Sequence, residues 1–214
     1  KITDYPFNSK EFKSKLSKTK DYEKVKRLIE TKQKEFLSYN FKLFFDGVEL
    51  QRIVQLPTEK DRINRTYFID FDEPVFKSKL KFRGYLFSQI PSAILPLELN
   101  GVQIRVRGVG IGGYDSTFLK YYKYIATIIN KWVSGEIYVE QGIETALNID
   151  RDSFNEHDEH YKRMQNVIHE TLDLVFDESK QIASELSEDR RLLKASELKA
   201  SFTDFVRNES KNQF

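Results

Sequence analysis

The stretch GVQIRVRGVGIGGYDSTFLKYYKYIATIINKWVSGEIYV, residues 101–139, decides the fold. Over 102–107, apolar residues alternate with Gln and Arg, which predicts a strand with one apolar and one cationic face. The glycine-rich segment 108–113 predicts a tight strand-to-helix turn, because glycine adopts positive φ angles without strain. Apolar residues then recur at helical spacing, which predicts a helix near 117–131, and VSGEIYV (133–139) is typical of a strand.

The segment before this stretch adds strands to the same sheet. Alternating apolar residues predict strands near 66–71 and 79–87. Asp46-Gly47 lies between two β-rich runs, which is a strong signal for a hairpin. We therefore expect one mixed sheet with a crossover helix over residues 41–150, and an α+β fold.

Both ends of the chain predict helices. Residues 1–40 are basic and predict a helical lead-in of two helices, the second starting near Asp21. Residues 151–214 contain neither proline nor glycine and predict C-terminal helices that pack on the sheet or extend it. The first of these is expected from a Ser-x-x-Glu capping box at Ser153, with a break near 187–189 before a final helix.

The composition excludes several classes of protein. The chain has 214 residues, 35 Lys+Arg against 33 Asp+Glu, and no cysteine. Disulfides and thiolate metal sites are therefore excluded, and near-neutral charge argues against a strongly basic nucleic-acid binder. No long apolar run and no secretion leader is visible, so we expect no membrane span and a cytoplasmic location. The chain starts at Lys1 rather than Met, and we expect it to be part of a longer protein.

Three patterns resemble functional sites but have simpler interpretations. Residues 108–113 satisfy GxGxxG but follow a meander, and no second acidic-tipped strand follows, so a structural turn is favoured over a dinucleotide site. The polar run 156–160 contains His157 and His160 at i, i+3 spacing, which suits a metal, but it is also typical of a capped helix start. His169 lies among apolar residues and is interpreted as structural.

Arg151 is the strongest candidate for a functional residue. It lies between a predicted strand and a predicted helix start, where a cation is well placed to meet an anion. The alternative is a salt bridge to its neighbour Asp150 or Asp152. Residue chemistry alone leaves both interpretations open.

Three segments carry a resemblance to a known family. FRGYLF (82–87), VQIRVRGVGIG (102–112) and WVSGEIYVEQGIETALNIDRDSFN (132–155) resemble, in order and spacing, the middle domain of the ninety-kilodalton heat-shock chaperone family. The likeness is closer still to bacterial chaperone-like proteins of the GHKL ATPase superfamily. It covers about residues 80–175, and LNIDRDSF (147–154) is its most specific part.

The resemblance implies a fold and an active-site role. The fold is the two-layer, ribosomal-protein-like β(3)-α-β-α transducer fold. In this family a separate upstream domain binds ATP and Mg²⁺, and the middle domain donates an arginine to the γ-phosphate. By motif match that arginine is Arg151, acting as an arginine finger, and Asn155 occupies the position where the family usually has a longer Gln. Asp150 and Asp152 would hold the guanidinium before docking. The superfamily's ATP-binding motifs are missing from this sequence, so we expect the chain alone to bind ATP poorly.

Two other functions compete with this hypothesis. The chain could be a non-catalytic module that binds a client or partner protein through its terminal helices and an aromatic-rich sheet. It could also bind nucleic acid through its basic N-terminal helices and the strand face of Arg105 and Arg107, although the related superfamily branches use a lysine motif that we do not find. A homodimer of the full-length protein is compatible with the family. The aromatic residues are Phe41, Phe44, Phe45, Tyr67, Phe68 and Phe71.

Overall fold

A five-stranded mixed sheet forms the centre of the protein, which confirms the α+β prediction. The structure, a computed structural model, describes residues 21–38, 44–49, 62–123, 128–150 and 152–211. The strands are β1 (Phe44–Phe45), β2 (Val48–Glu49), β3 (Ile63–Val75), β4 (Ser78–Ile90), β5 (Gly101–Val106), β6 (Val109–Asp115) and β7 (Val133–Gln141). The helices are α1 (Tyr22–Ser38) and α2 (Glu159–Lys211), with short 3₁₀ turns at Leu97–Leu99, Ile128–Trp132 and Glu144–Ala146.

The strand order of the sheet is β3-β4-β7-β5-β6. Neighbouring strands are antiparallel except for β5 and β7, which run parallel with Val102 beside Gly135. The chain therefore leaves the β5–β6 hairpin and returns to insert β7 between β4 and β5. Strands β1 and β2 form a separate hairpin.

Helix α2 covers one face of the sheet. The buried residues of α2 recur at helical spacing, and they pack on every second residue of the strands, the ones that face the helix. Together they form one hydrophobic core. Gly84 allows the close approach of the neighbouring strands β4 and β7, because a Cβ on Gly84 would lie only 2.5 Å from Cδ1 of its register partner Ile137. The central residues are Met164, Ile168, Leu172, Val175 and Phe176 of α2, and Leu80, Phe82, Leu86, Ile104, Val133 and Ile137 of the sheet.

Helix α1 packs on the opposite face. Val25, Leu28 and Ile29 are buried against aromatic residues of β4 and β7, among them Tyr85 and Tyr138. The helix predicted near Asp21 is thus confirmed. The first predicted N-terminal helix lies outside the described residues.

The hairpin predicted at Asp46-Gly47 is confirmed. Phe45 pairs with Val48, and both turn residues have positive φ angles, 47° and 76°. This is the backbone that Asp-Gly favours in a two-residue hairpin loop.

The glycine cluster does not form a strand-to-helix turn, so that prediction is wrong. The chain turns at Arg107-Gly108, where both φ angles are positive, 50° and 79°. Val106 then pairs with Val109, and the remaining glycines of the cluster lie in strand β6. The strand predicted over 102–107 is therefore the first strand of a hairpin, and the predicted turn contains the second.

The crossover helix predicted near 117–131 is also wrong for the described residues of that range. Phe118, Leu119 and Lys120 have φ angles of 53°, 58° and 62°, which a right-handed helix does not allow. The Asp115 carboxylate stabilises this turn, because it accepts hydrogen bonds from the backbone N–H groups of Thr117 and Leu119, both at 2.8 Å. A 3₁₀ turn precedes β7.

Helix α2 differs from its prediction in two ways: it begins later, and it has no break. It begins at Glu159 rather than at Ser153, because Asp158 Oδ1 caps it by accepting the N–H groups of His160 and Tyr161 at 2.9 and 3.1 Å. It also continues without a break through 187–189. No described helix has the length and apolar character needed to cross a lipid bilayer.

Candidate functional site

The two ends of the segment 147–155 pair with each other between β7 and α2. Leu147 and Phe154 form an isolated antiparallel bridge. Inside this bridge, Asn148 N–H donates to Ser153 O at 3.1 Å and Asn148 Nδ2 donates to Ser153 Oγ at 2.8 Å. These contacts fix both ends of a loop over 148–153.

The described residues near the tip of this loop face solvent. Ile149 is fully exposed, and Asp150 and Asp152 are also exposed. Asp150 Oδ1 accepts the N–H of Asp152 at 3.1 Å, which shapes the turn. Arg151 itself lies outside the described residues, so its predicted role and its alternative salt bridges both stay predictions.

Asn155 has backbone and side-chain contacts within the loop region. Its N–H donates to Ala146 O at 2.7 Å, and its Oδ1 accepts the N–H of His157 at 3.1 Å. The side chain is exposed, and its amide nitrogen has no partner among the described residues. A phosphate contact of Asn155 therefore stays a prediction, while its oxygen already stabilises the turn before α2.

A cavity of about 260 Å³ lies between strand β6 and this loop. Polar and apolar side chains both line it, among them three acidic residues from two segments: Asp115 from β6, and Asp152 and Glu156 from the loop region. Glu156 pairs with Lys120 at 2.5 Å. The other lining residues are Val102, Ile104, Ile111, Gly112, Gly113, Tyr114, Leu119, Ser153, Phe154 and Tyr161.

Tyr161 also lines this cavity and carries a polar hydroxyl group. It is only 7% exposed, and its ring stacks on Phe154 with centroids 5.2 Å apart. Burial, with the charges of Glu156 and Asp115, raises the pKa of the Tyr161 hydroxyl to about 12. The hydroxyl is therefore neutral and protonated at physiological pH.

His160 has structural contacts, and the described residues form no metal site around the histidines. His160 Nε2 lies 3.0 Å from Val75 O and 3.1 Å from Ser78 Oγ, so it joins the β3–β4 turn to α2. His157 is exposed. Among the described residues, no group of three or more His, Asp or Glu side chains could hold a metal ion.

His169 stabilises the left-handed turn after β6. Its Nε2 lies 3.0 Å from Phe118 O and 3.1 Å from Leu119 O. Its ring also contacts Tyr121 edge-on, with centroids 5.1 Å apart. These contacts agree with the structural interpretation of His169.

The strand face of Arg105 and Arg107 is not a free cationic surface. Arg105 Nη2 donates to Glu136 Oε1 at 2.8 Å, and Glu136 is completely buried. Burial alone would lower the pKa of Arg105, but the charge and hydrogen bond of Glu136 outweigh it and raise that pKa above its ordinary value. Arg107 pairs with Glu144 at 3.2 Å.

Sequence reasoning missed the buried network around Glu136. Tyr114 donates its hydroxyl hydrogen to Glu136 Oε1 at 2.7 Å, and Tyr138 donates to Oε2. One signal was present: Glu136 is the only charged residue in the apolar strand segment VSGEIYV (133–139). Its partner Arg105 is 31 residues earlier, across the parallel strand pair.

The aromatic residues proposed as a binding surface are mostly used within the fold. Phe71 is buried and stacks on Phe82 at 5.2 Å, and Tyr67 donates a hydrogen bond to Glu178. Phe68 packs in the α1 layer. Phe44 and Phe45 of the β1–β2 hairpin are exposed, and Phe41 lies outside the described residues.

The chain was compared with protein-family models and with curated proteins, and neither comparison gave a match.

Proposed function

We propose that this chain is the middle, transducer-type region of a chaperone-like GHKL ATPase. In this proposal, Arg151 contacts the γ-phosphate of ATP that a separate upstream domain binds together with Mg²⁺. Asn155 is the second residue of this chain that we propose near the phosphate, and the separate domain would supply the rest of the nucleotide site. We also propose a cytoplasmic location, because ATP is present there and a fold without cysteine suits a reducing compartment.

The observation that carries the proposal is the closed loop over 148–153. Its ends are fixed by the Leu147–Phe154 bridge and by two hydrogen bonds between Asn148 and Ser153. Two fixed ends suit an arginine between them that must reach a ligand on another domain, because the backbone at these ends would lose little conformational freedom on docking.

The chemistry of an arginine suits this role. A guanidinium presents several N–H donors in a plane and keeps its charge at any physiological pH. It can therefore neutralise the charge that develops on the phosphoryl oxygens during transfer. Asp150 and Asp152 flank it in the sequence and would compete for it until the phosphate arrives.

The position of the loop also suggests how docking would be coupled to movement. The loop lies between β7 and α2, and Asn155 N–H donates to Ala146 O just before the Asp158 cap of that helix. A displacement of the loop would therefore change the start of α2 directly. Because α2 is 53 residues long, a small rotation at its start would move its far end by a larger distance.

The test uses the full-length parent protein and compares Arg151→Ala with Arg107→Ala. We expect Arg151→Ala to lower ATP turnover by about 10³-fold or more, as for arginine fingers in related phosphoryl transfer, with little loss of ATP affinity. Arg107→Ala, the same change at an exposed arginine of the β5–β6 turn, should leave turnover within a few-fold. Unchanged turnover in Arg151→Ala would refute the assigned role.

The far half of α2 supports a second candidate function, a protein-binding module. Every described residue from 187 to 204 is exposed. Leu198 and Phe202, four residues apart, share one side of this helix and are 74% and 67% exposed. A helix with no packed face is marginally stable in water, so a partner on this side would stabilise it.

This second candidate has its own test. In binding assays with candidate client proteins, Leu198→Glu should abolish complex formation, whereas Lys199→Glu, which changes a charge on the neighbouring residue, should weaken it much less. Binding would be independent of nucleotide and of Arg151. Equal effects of both substitutions would argue against an apolar binding face.

A further inference from the structure

We propose that the far half of α2 pairs with the same segment of a second copy of this chain, with the two helices antiparallel. This inference goes beyond the ATPase role and does not depend on Arg151. It names a second copy as the occupant of the exposed helix face that the second candidate function leaves to a client protein. Three observations carry it: the missing packing of this half, the spacing of its apolar residues, and the distribution of its charges.

The far half of α2 lacks the packing that stabilises the near half. Buried residues of α2 occur as far as Ile182, and every described residue from 187 to 204 is exposed. Among the described residues, the side-chain hydrogen bonds of this half stay within the helix, as when Ser196 donates to Leu193 O at 2.7 Å. Helices in proteins owe most of their stability to the packing of an apolar face. The described part of the chain supplies no such packing for residues 187–204.

The apolar residues on one side of this half have the spacing of a seam between paired helices. Ala195, Leu198 and Phe202 follow one another at three and four residues, and at about 100° per residue they fall within an arc of about 60°. We call these three residues the seam. The buried residues Val175 and Ile182 lie roughly opposite this arc, so the folded domain leaves the seam accessible to another helix.

The charges of the segment favour a second copy over a strongly charged partner. Residues 187–204 contain four Lys+Arg and four Asp+Glu, so their net charge is zero. A neutral segment gains little attraction from an anionic membrane or from a strongly acidic or basic protein surface. Two copies of the same neutral segment meet without net repulsion.

Arg191 determines the relative direction of the two helices. It precedes Phe202 by 11 residues, so the two side chains lie on nearly the same side of the helix, about three turns apart. In a parallel pair, each Arg191 would face the Arg191 of the other copy, which is unfavourable. In an antiparallel pair centred between residues 196 and 197, each Arg191 meets Phe202 of the other copy and can make a cation–π contact. The same register places each Leu198 beside Ala195 of the other copy.

The test measures the mass of the 214-residue chain by sedimentation equilibrium over micromolar to millimolar concentrations. The seam is small, so we expect a weak dimer with a dissociation constant in the micromolar range. The mass should rise reversibly from 25.3 kDa towards twice that value and no further, because a twofold pairing is closed. A chain that stays at 25.3 kDa, or that assembles beyond a dimer, would overturn the proposal.

Leu198→Glu and Leu193→Glu are a matched pair of variants. The two leucines are 74% and 62% exposed, but they are five residues apart and therefore lie about 140° apart around the helix. Leu198→Glu should weaken dimerisation by roughly tenfold or more, because it places a charge in the seam, whereas Leu193→Glu should leave it nearly unchanged. Equal weakening would refute the seam. A monomeric chain that still binds a client through Leu198 would favour the second candidate function instead, and ATP turnover tests the Arg151 role separately.

A distance between two spin labels tests the antiparallel direction. The chain has no cysteine, so the exposed Ser187, changed as Ser187→Cys, provides a single labelling position in each copy. At 1.5 Å per residue, the two labels of the antiparallel dimer should be about 30 Å apart. A parallel dimer would bring them to roughly 10 Å, the spacing of packed helices, and this short distance would contradict the proposal.

Discussion

Glu136→Gln should destabilise the fold strongly, because it leaves a buried arginine without its counter-charge. Glu136 is completely buried, and the Arg105 side chain is only 15% exposed. Glutamine keeps the shape and can still contact the hydroxyl groups of Tyr114 and Tyr138, so the main loss is the negative charge beside Arg105. Removing one partner of a buried ion pair costs about 3–5 kcal/mol, and the partial exposure of Arg105 favours the lower end.

Urea unfolding measures this loss. The single tryptophan, Trp132, is 6% exposed, so its fluorescence will report exposure of the core. A loss of about 3 kcal/mol corresponds to a midpoint shift of roughly 1 M urea for a typical m-value. Adding Arg105→Met should recover part of the loss, because it removes the unpaired charge.

The matched control is Asp70→Asn. Asp70 pairs with Arg83 at 3.1 Å across two strands, but both side chains are more than 40% exposed. Exposed pairs contribute about 1 kcal/mol or less. If Glu136→Gln costs no more than this control, the Glu136 network does not stabilise the fold as we have argued.

Three further changes test other parts of the fold. Gly84→Ala should lower the stability by about 1–3 kcal/mol through overpacking, because its Cβ would meet Ile137 Cδ1 at 2.5 Å. Gly113→Ala has open space around the new Cβ and should be near neutral in thermal unfolding. Equal losses of stability would contradict the close approach of β4 and β7. Asp158→Ala should lower stability by about 1 kcal/mol in urea unfolding, since Asp158 caps α2, and no change would mean that the helix starts elsewhere. The Tyr161 hydroxyl has a pKa of about 12 in the folded chain, against an ordinary value of 10. The unfolded chain therefore loses this proton first, and the stability that the protonated hydroxyl contributes is lost as the pH rises from 10 to 12. Unfolding measured over this pH range should therefore show a steeper loss of stability in the wild-type chain than in Tyr161→Phe, and parallel curves would count against this.

The strands could be predicted because their patterns are local. Alternation through Leu80, Phe82 and Leu86 identifies β4, and the Asp46-Gly47 pair identifies the small hairpin. In each case neighbouring residues contain the whole signal.

The crossover segment could not be predicted because distant contacts decide it. Apolar residues at helical spacing favoured a helix, but the Asp115 carboxylate and His169 stabilise a left-handed turn at Phe118 and Leu119. His169 is about 50 residues away in sequence. Tertiary contacts of this kind override local propensity.

The candidate site was only partly accessible from the sequence. The sequence pointed to the junction after β7 and to Asn155 only through a resemblance, and it gave no sign that Asn155 Oδ1 would accept the N–H of His157. The cavity was missed because its walls come from β5, β6, the loop and α2, and no single segment contains enough of them to form a motif. Tyr161 gave no sequence signal, since a tyrosine in a helix is ordinarily a core residue.

The central claim is that this chain supplies an arginine to a nucleotide held by a different domain. The most direct measurement adds the purified 214-residue chain to the separately produced upstream ATP-binding domain and follows phosphate release. We predict that the chain alone releases no phosphate, that the mixture exceeds the ATP-binding domain alone, and that Arg151→Ala removes this increase while an exposed control, Arg107→Ala, retains it. An increase that persists with Arg151→Ala, or no increase although the two parts bind each other, would contradict the account.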